Sequence, residues 1–139
     1  MSTLTLDLAR TLTDKALAKG RELGLKPLTV VVLDQSGEIK YLVREDGSAP
    51  LRPTVARGKA RAALALSTTS RAIAEMAAER PSFVAALATA APGDIIPAAG
   101  GVLIKHQGEI IGAVGISGDL SDQDEICALA GIAAAGLES

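Results

Sequence analysis

The sequence predicts an α+β fold, an antiparallel sheet with helices packed on it. Three observations carry this. Four short apolar runs rich in β-branched residues come as two neighbouring pairs, and each pair is separated by a turn signal, which is the pattern of a hairpin. Stretches with helical spacing lie before, between and after the pairs. The length of 139 residues fits one domain, residues 1–139, in which folding hides roughly two-thirds of the unfolded chain's surface. The expected order is α-β-β-α-α-β-β-α, with room for a third helix in the middle block. Adjacent strands in hairpins make an antiparallel sheet the economical solution.

The first helix is expected from Asp7 to about Leu23. Leu8, Ala9, Leu12, Ala16 and Leu23 keep close to helical spacing, Thr5 can cap the start, and Gly24 sits where helices end. Arg10, Lys15, Lys19 and Arg21 then face water or a partner subunit. Leu28–Leu33 is a continuous apolar run and reads as a strand buried on both faces. Asp34-Gln35-Ser36-Gly37 is a turn by composition. Glu38–Val43 alternates polar with apolar and reads as a half-exposed strand. Ser48–Pro53 is a connection, and a helix starts near Thr54. Its alanines (Ala56, Ala60, Ala63, Ala65) allow close packing, while Arg57, Lys59 and Arg61 make it the most basic segment. Thr68-Thr69-Ser70 can cap a second helix through Ala78, and Pro81 can start another through about Leu87. Pro92-Gly93 and Pro97 break the loop that follows. Val102–Lys105 and Ile110–Ile116 form the second hairpin about Gln107-Gly108. Gly112, Gly115 and Gly118 recur every third residue there, a hint that a ligand or another backbone comes close. Ser121, Asp122, Asp124 and Glu125 suit the positive end of a last helix, expected from Asp122 to Leu137.

Composition narrows the function. The net charge of −2, from 14 basic and 16 acidic residues, gives no footprint for nucleic acid or an acidic membrane. Tyr41 and Phe83 are the only aromatic residues, too few for a base-stacking platform. The N-terminal stretch has neither a basic leader nor an apolar run, so neither a signal peptide nor a membrane span is expected. Cys127, the one cysteine, cannot form an internal disulfide; a cytoplasmic, reducing home is expected, with Cys127 a buried thiol on the last helix. One histidine and one cysteine exclude a Cys/His zinc cluster.

Three blocks in order resemble the GlcG/HbpS-like family of haem-binding or haem-degrading domains. KHQGEIIGAVGISGDLSDQDEICALAG resembles that family's signature ending, at Gly100, Gly101, Gly108, Gly112, Gly115, Ser117, Gly118, Asp124 and Glu125. VVLDQSGEIKYLVREDG resembles an earlier block, at Asp34, Gly37, Arg44, Asp46 and Gly47. GKARAA resembles its middle helix, at Lys59, Ala60 and Ala63. The likeness runs from about residue 4 to 137 and extends to the C-terminal domain of PduO-type cobalamin adenosyltransferases. It implies a profilin-like fold, homo-oligomers from dimers to octamers, and tetrapyrrole association. Two positions depart from the pattern: Glu45 stands where a hydrophobic residue is common, and Leu103 where proline is common.

The candidate site residues carry more than one reading. Arg44, with Asp46 and Gly47, is either a solvated turn or a bidentate clamp for a carboxylate or propionate. Lys59 is either an ordinary surface lysine or a second cation for the same ligand. Gly115, Ser117 and Gly118, with the following helix start, can form an anion nest. Asp124 and Glu125 are either partners of the helix dipole or, in an enzyme, general bases. His106 is the only neutral imidazole able to ligate haem iron, and Tyr41 is a second possible axial ligand. Two functions follow: a haem- or tetrapyrrole-binding small-ligand module, or a cofactor-free enzyme acting on a small organic acid by proton transfer or addition/elimination.

Overall fold

The computed structural model describes residues 3–90 and 95–139. Nine elements follow one another: α1 (Leu6–Glu22), β1 (Thr29–Asp34), β2 (Ile39–Arg44), α2 (Arg52–Leu66), α3 (Ser70–Glu79), α4 (Pro81–Ala90), β3 (Gly101–His106), β4 (Glu109–Ser117) and α5 (Ser121–Ala134). The middle block holds three helices. The part of the following loop that contains Pro92-Gly93 lies outside the described residues.

The four strands form one antiparallel sheet in the order β2-β1-β4-β3. β1 and β4 are central and buried, as the apolar run of β1 requires, while β2 is a half-exposed edge. The second hairpin turns on Gln107 and Gly108, with φ of 51° and 80°. Positive φ at both turn residues is the two-residue form that matches the twist of the strands. In the first hairpin, Asp34 Oδ1 accepts from Ser36 N at 2.9 Å and Ser36 Oγ at 2.6 Å, closing an Asx turn.

Helices cover both faces. α1 and α5 pack on one, burying Leu12, Ala16, Val30, Val32, Ile104, Val114, Ile116 and Ile132. α2 packs on the other through Ala56, Ala60 and Ala63 against Val31, Leu33 and Ala113. α3 and α4 extend that layer through Ile73, Val84 and Ile95 around Ala62. A Cβ on Gly115 would collide with the Ala56 carbonyl oxygen, so the glycine and the alanines together let α2 lie close on the sheet. Thr5 and Thr69 accept from Leu8 N and Ala72 N, both at 3.1 Å, and cap α1 and α3.

α5 ends earlier than its alanine-rich sequence predicts. Gly136 adopts φ 76°. The chain then returns to β3, where Lys105 N donates to Glu138 O at 2.7 Å and Glu138 N to Lys105 O at 2.8 Å. Those two bonds partly cover the β3 edge, which a longer helix would leave bare.

Candidate functional site

β2, β1 and β4 place Arg44, Thr29 and Ser117 side by side, since Thr29 pairs with Arg44 on one side and Ser117 on the other. Directly paired residues of an antiparallel sheet share a face, here the face covered by α2. Arg44 Nη1 donates to Ser48 O at 2.7 Å, and the Ser48 and Thr29 hydroxyls lie 2.8 Å apart. Arg52, in the first turn of α2, donates from Nη1 to Ser117 Oγ at 3.1 Å. The row therefore brings two guanidinium groups and three buried hydroxyls, those of Thr29, Ser48 and Ser117, to one end of the sheet. Among the described residues, neither Arg44 nor Arg52 has a carboxylate within ion-pair distance.

Lys59 lies beneath this row and is buried. Its Nζ donates to Ile116 O at 2.9 Å and to Asp124 Oδ2 at 3.2 Å. Asp124 is wholly buried, and its Oδ1 accepts from Asp119 N at 3.0 Å. Burial pushes the Lys59 ammonium below its ordinary pKa, and the charge of Asp124 opposes that. Burial pushes Asp124 up, and Lys59 opposes that in turn. The pair ties α2, β4 and the start of α5 together. Glu125 points elsewhere: its carboxylate takes Arg71 Nε at 2.9 and 3.2 Å, joining α5 to α3.

The glycines are closed in by backbone. α2 occupies the side of Gly115 that a ligand would use, and the Pro27 carbonyl lies where a Cβ of Gly118 would be. Gly47, with φ 85°, makes the turn after β2, and Asp46 stays exposed beside it. Glu45, the residue that departs from the family pattern, accepts from Leu28 N at 2.7 Å and from Arg21 Nη2 at 3.2 Å. Its carboxylate lines the cleft between Arg21 and Arg44.

His106 stands at the opposite end of the sheet. Ser117 ends β4, whereas His106 pairs with Glu109 at its start. The nine residues of β4 rise about 3.3 Å each, so roughly 26 Å separates His106 from the Arg44 row. The imidazole is half-buried and lines a cleft of about 240 Å³ with Leu8, Ile111 and Leu137. Tyr41 packs against α1, where the Arg10 guanidinium lies 5.8 Å from the ring centre. Cys127 is buried, and desolvation pushes its thiol up to about 11. No group of three or more metal-ligating side chains occurs among the described residues, and no helix there is long and apolar enough to cross a membrane.

The structure thus brings Arg44, Ser117, Lys59 and Asp124 to one end of the sheet and leaves His106 and Glu125 apart from them. Thr29, Ser48, Arg52 and Arg71 join these groups without any local sequence pattern to mark them. Arg52 makes its contact with a residue 65 positions away, and only the strand register shows that.

A four-stranded antiparallel sheet clad by two helices on one face and three on the other, with a cationic row at one end and an imidazole cleft at the other, defines an α+β protein. Residues 4–133 match the family described as "Haem degrading protein HbpS-like", and the chain belongs to that family. Solved structures agree over nearly the whole chain. The haem complex of PduOC is 25% identical, with a TM-score of 0.87 over 99% of this chain and 98% of that one. A double mutant of HbpS from Streptomyces reticuli is 27% identical, with a TM-score of 0.82 over 96% and 87%. The Klebsiella pneumoniae protein ORFY, at 24% identity and a TM-score of 0.87 over 98% and 92%, shares the fold. No curated protein matches closely enough to count as a relative.

Proposed function

We propose that this protein is a haem- or tetrapyrrole-binding small-ligand module that works as a homo-oligomer. The observation that carries the reading is the end-to-end likeness to a protein solved with haem, PduOC, together with membership of the HbpS-like family. The residues fit one axial ligand. His106 is an imidazole at the mouth of a cleft walled by Leu8, Ile111 and Leu137, and an apolar wall beside the donor suits a macrocycle. Haem bound there would supply iron redox and ligand chemistry. Cys127 is buried with its thiol held protonated, so it does not compete for the iron.

The geometry also divides the tasks. The separation of His106 from Arg44 exceeds the width of a tetrapyrrole. One macrocycle cannot take its iron ligand from His106 and its propionate clamp from Arg44 of the same chain. Lys59 is already committed to Asp124 and Ile116. The cleft, at about 240 Å³, is smaller than the roughly 300–1,000 Å³ of sites that enclose a ligand. It takes an edge of the macrocycle, and a second copy covers the rest.

Haemin titration followed by the Soret band tests this. The expected result is a saturable change in the wild type, abolished or shifted by His106→Ala and kept by Arg44→Ala. A wild type without a saturable change overturns the module. A His106→Ala protein with an unchanged spectrum removes His106 as the ligand.

A further inference from the structure

His106 ends β3, Glu109 begins β4, and the two are paired directly across the Gln107-Gly108 turn. Directly paired residues of antiparallel strands share a face, with Cβ atoms roughly 4.5–5.5 Å apart. An imidazole and a glutamate carboxylate reach each other over that span. The shared face is that of the proposed iron site, because His106 lines its cleft. The register is fixed: the two turn residues both have positive φ, 51° and 80°, and a two-residue turn of that kind holds its flanking residues opposite each other. The turn is also tied down, since Gln107 N donates to Glu138 Oε1 at 2.7 Å. That bond occupies an oxygen of a second carboxylate at this end of the sheet. Glu109 is exposed where His106 is half-buried, so its charge escapes the cost of burial. When one nitrogen of a neutral imidazole ligates a metal, the other carries the proton. A carboxylate that accepts that N–H fixes the tautomer and the ring orientation, and makes the ligand more basic.

We infer that Glu109 is the positioning residue of His106: its carboxylate accepts the N–H of the imidazole nitrogen that iron does not use. The role in iron ligation rests on the haem reading, whereas the contact itself does not. In the free protein the hydrogen bond selects one tautomer. In a haem complex it strengthens the bond from imidazole to iron and favours the ferric state, which carries the larger positive charge.

Two measurements on the full chain test this. His106 is the only histidine, so protein labelled with 15N-histidine shows a single imidazole, whose nitrogen shifts report the tautomer when the ring is neutral. The expected result is one dominant tautomer in the wild type and a shift toward a mixture in Glu109→Ala. Identical shifts in the two proteins overturn the contact, whether or not haem binds. The second measurement is haem affinity in both oxidation states. Glu109→Gln should weaken ferric haem about ten-fold and leave ferrous haem nearly unchanged. For one electron that ratio is a rise in midpoint potential of about 59 mV. Equal weakening of both states overturns the positioning role, because a residue that only shapes the hairpin acts on both alike. A tautomer that depends on Glu109, in a wild type with no saturable Soret change, upholds the contact and places the failure in the haem reading.

Discussion

Lys59 and Asp124 carry opposite charges into the interior, with 2% and 0% of their surfaces exposed. Each would be severely destabilising alone, since the cost of burying one charge is offset only by the other and by the hydrogen bonds around them. Lys59→Met, which strands the Asp124 carboxylate, should cost about 3–5 kcal/mol in urea unfolding. Lys59→Met with Asp124→Leu should recover most of that, because both charges are then gone. A single-variant loss under about 1 kcal/mol, the level of a surface pair, would show that the carboxylate finds water or a proton. The acid limb of stability comes from other carboxylates. Hydrogen bonds from Ser36 hold Asp34 below its ordinary value of 3.8, and backbone bonds from Lys26 and Leu120 do the same for Asp119. The unfolded chain then binds more protons than the folded one just below that value. Their contribution is present above the unfolded pKa and is lost as pH falls through the folded pKa. Asp124 has the opposite sign, because its pKa is raised. Asp34→Asn should therefore flatten the fall in stability below about pH 4, measured by urea melts at stepped pH. An unchanged slope would exclude Asp34 as a source.

At the scale of elements, what was legible in the sequence was local. The Thr5 and Thr69 caps, the Asp34–Gly37 turn and the Gln107-Gly108 hairpin rest on side chains within a few residues of the backbone they satisfy. Burial of β1 on both faces followed from an unbroken apolar run. The Arg52–Ser117 contact of the cationic row, the Lys59–Asp124 pair and the Arg71–Glu125 bridge were not legible, since they join residues 54–65 positions apart and depend on how the elements pack. The glycines fell between the two. Their spacing announced a close approach, but only the packing shows that α2 and the Pro27 segment make it. That gives a sharp expectation for Gly115→Ala. The added Cβ meets the Ala56 backbone, which cannot swing away as a flexible side chain would, so α2 must lift from β4. A loss of about 1–3 kcal/mol, the range for overpacking, should appear in thermal or urea unfolding, while Gly108→Ala should cost about 1 kcal/mol through its positive φ alone. Equal losses at the two sites would mean that α2 does not sit as tightly as its alanines allow.

The whole molecule presents an apolar stripe that its own fold does not cover. On α5, Cys127, Ala128 and Ile132 pack inward, while Ile126 and Leu129 remain 41% and 39% exposed and Ala133 is exposed beyond them. Positions three and four apart lie on one side of a helix, so these three form a line along the outer surface of α5. The line runs toward the end of the molecule where Lys105 pairs with Glu138 and His106 lines its cleft. A second copy seated on the stripe would shield it from water and would lie near the exposed side of that cleft. The expectation is a homo-oligomer at micromolar concentration by light scattering after size exclusion. Ile126→Glu with Leu129→Glu should shift it toward monomer with an unchanged circular-dichroism spectrum, since neither side chain reaches the core. Haemin should also bind more weakly to that monomer, because the covering copy is lost while His106 is intact. A wild type that elutes as a monomer would remove the stripe as an interface, and haem affinity unaffected by the charge pair would place the macrocycle away from it.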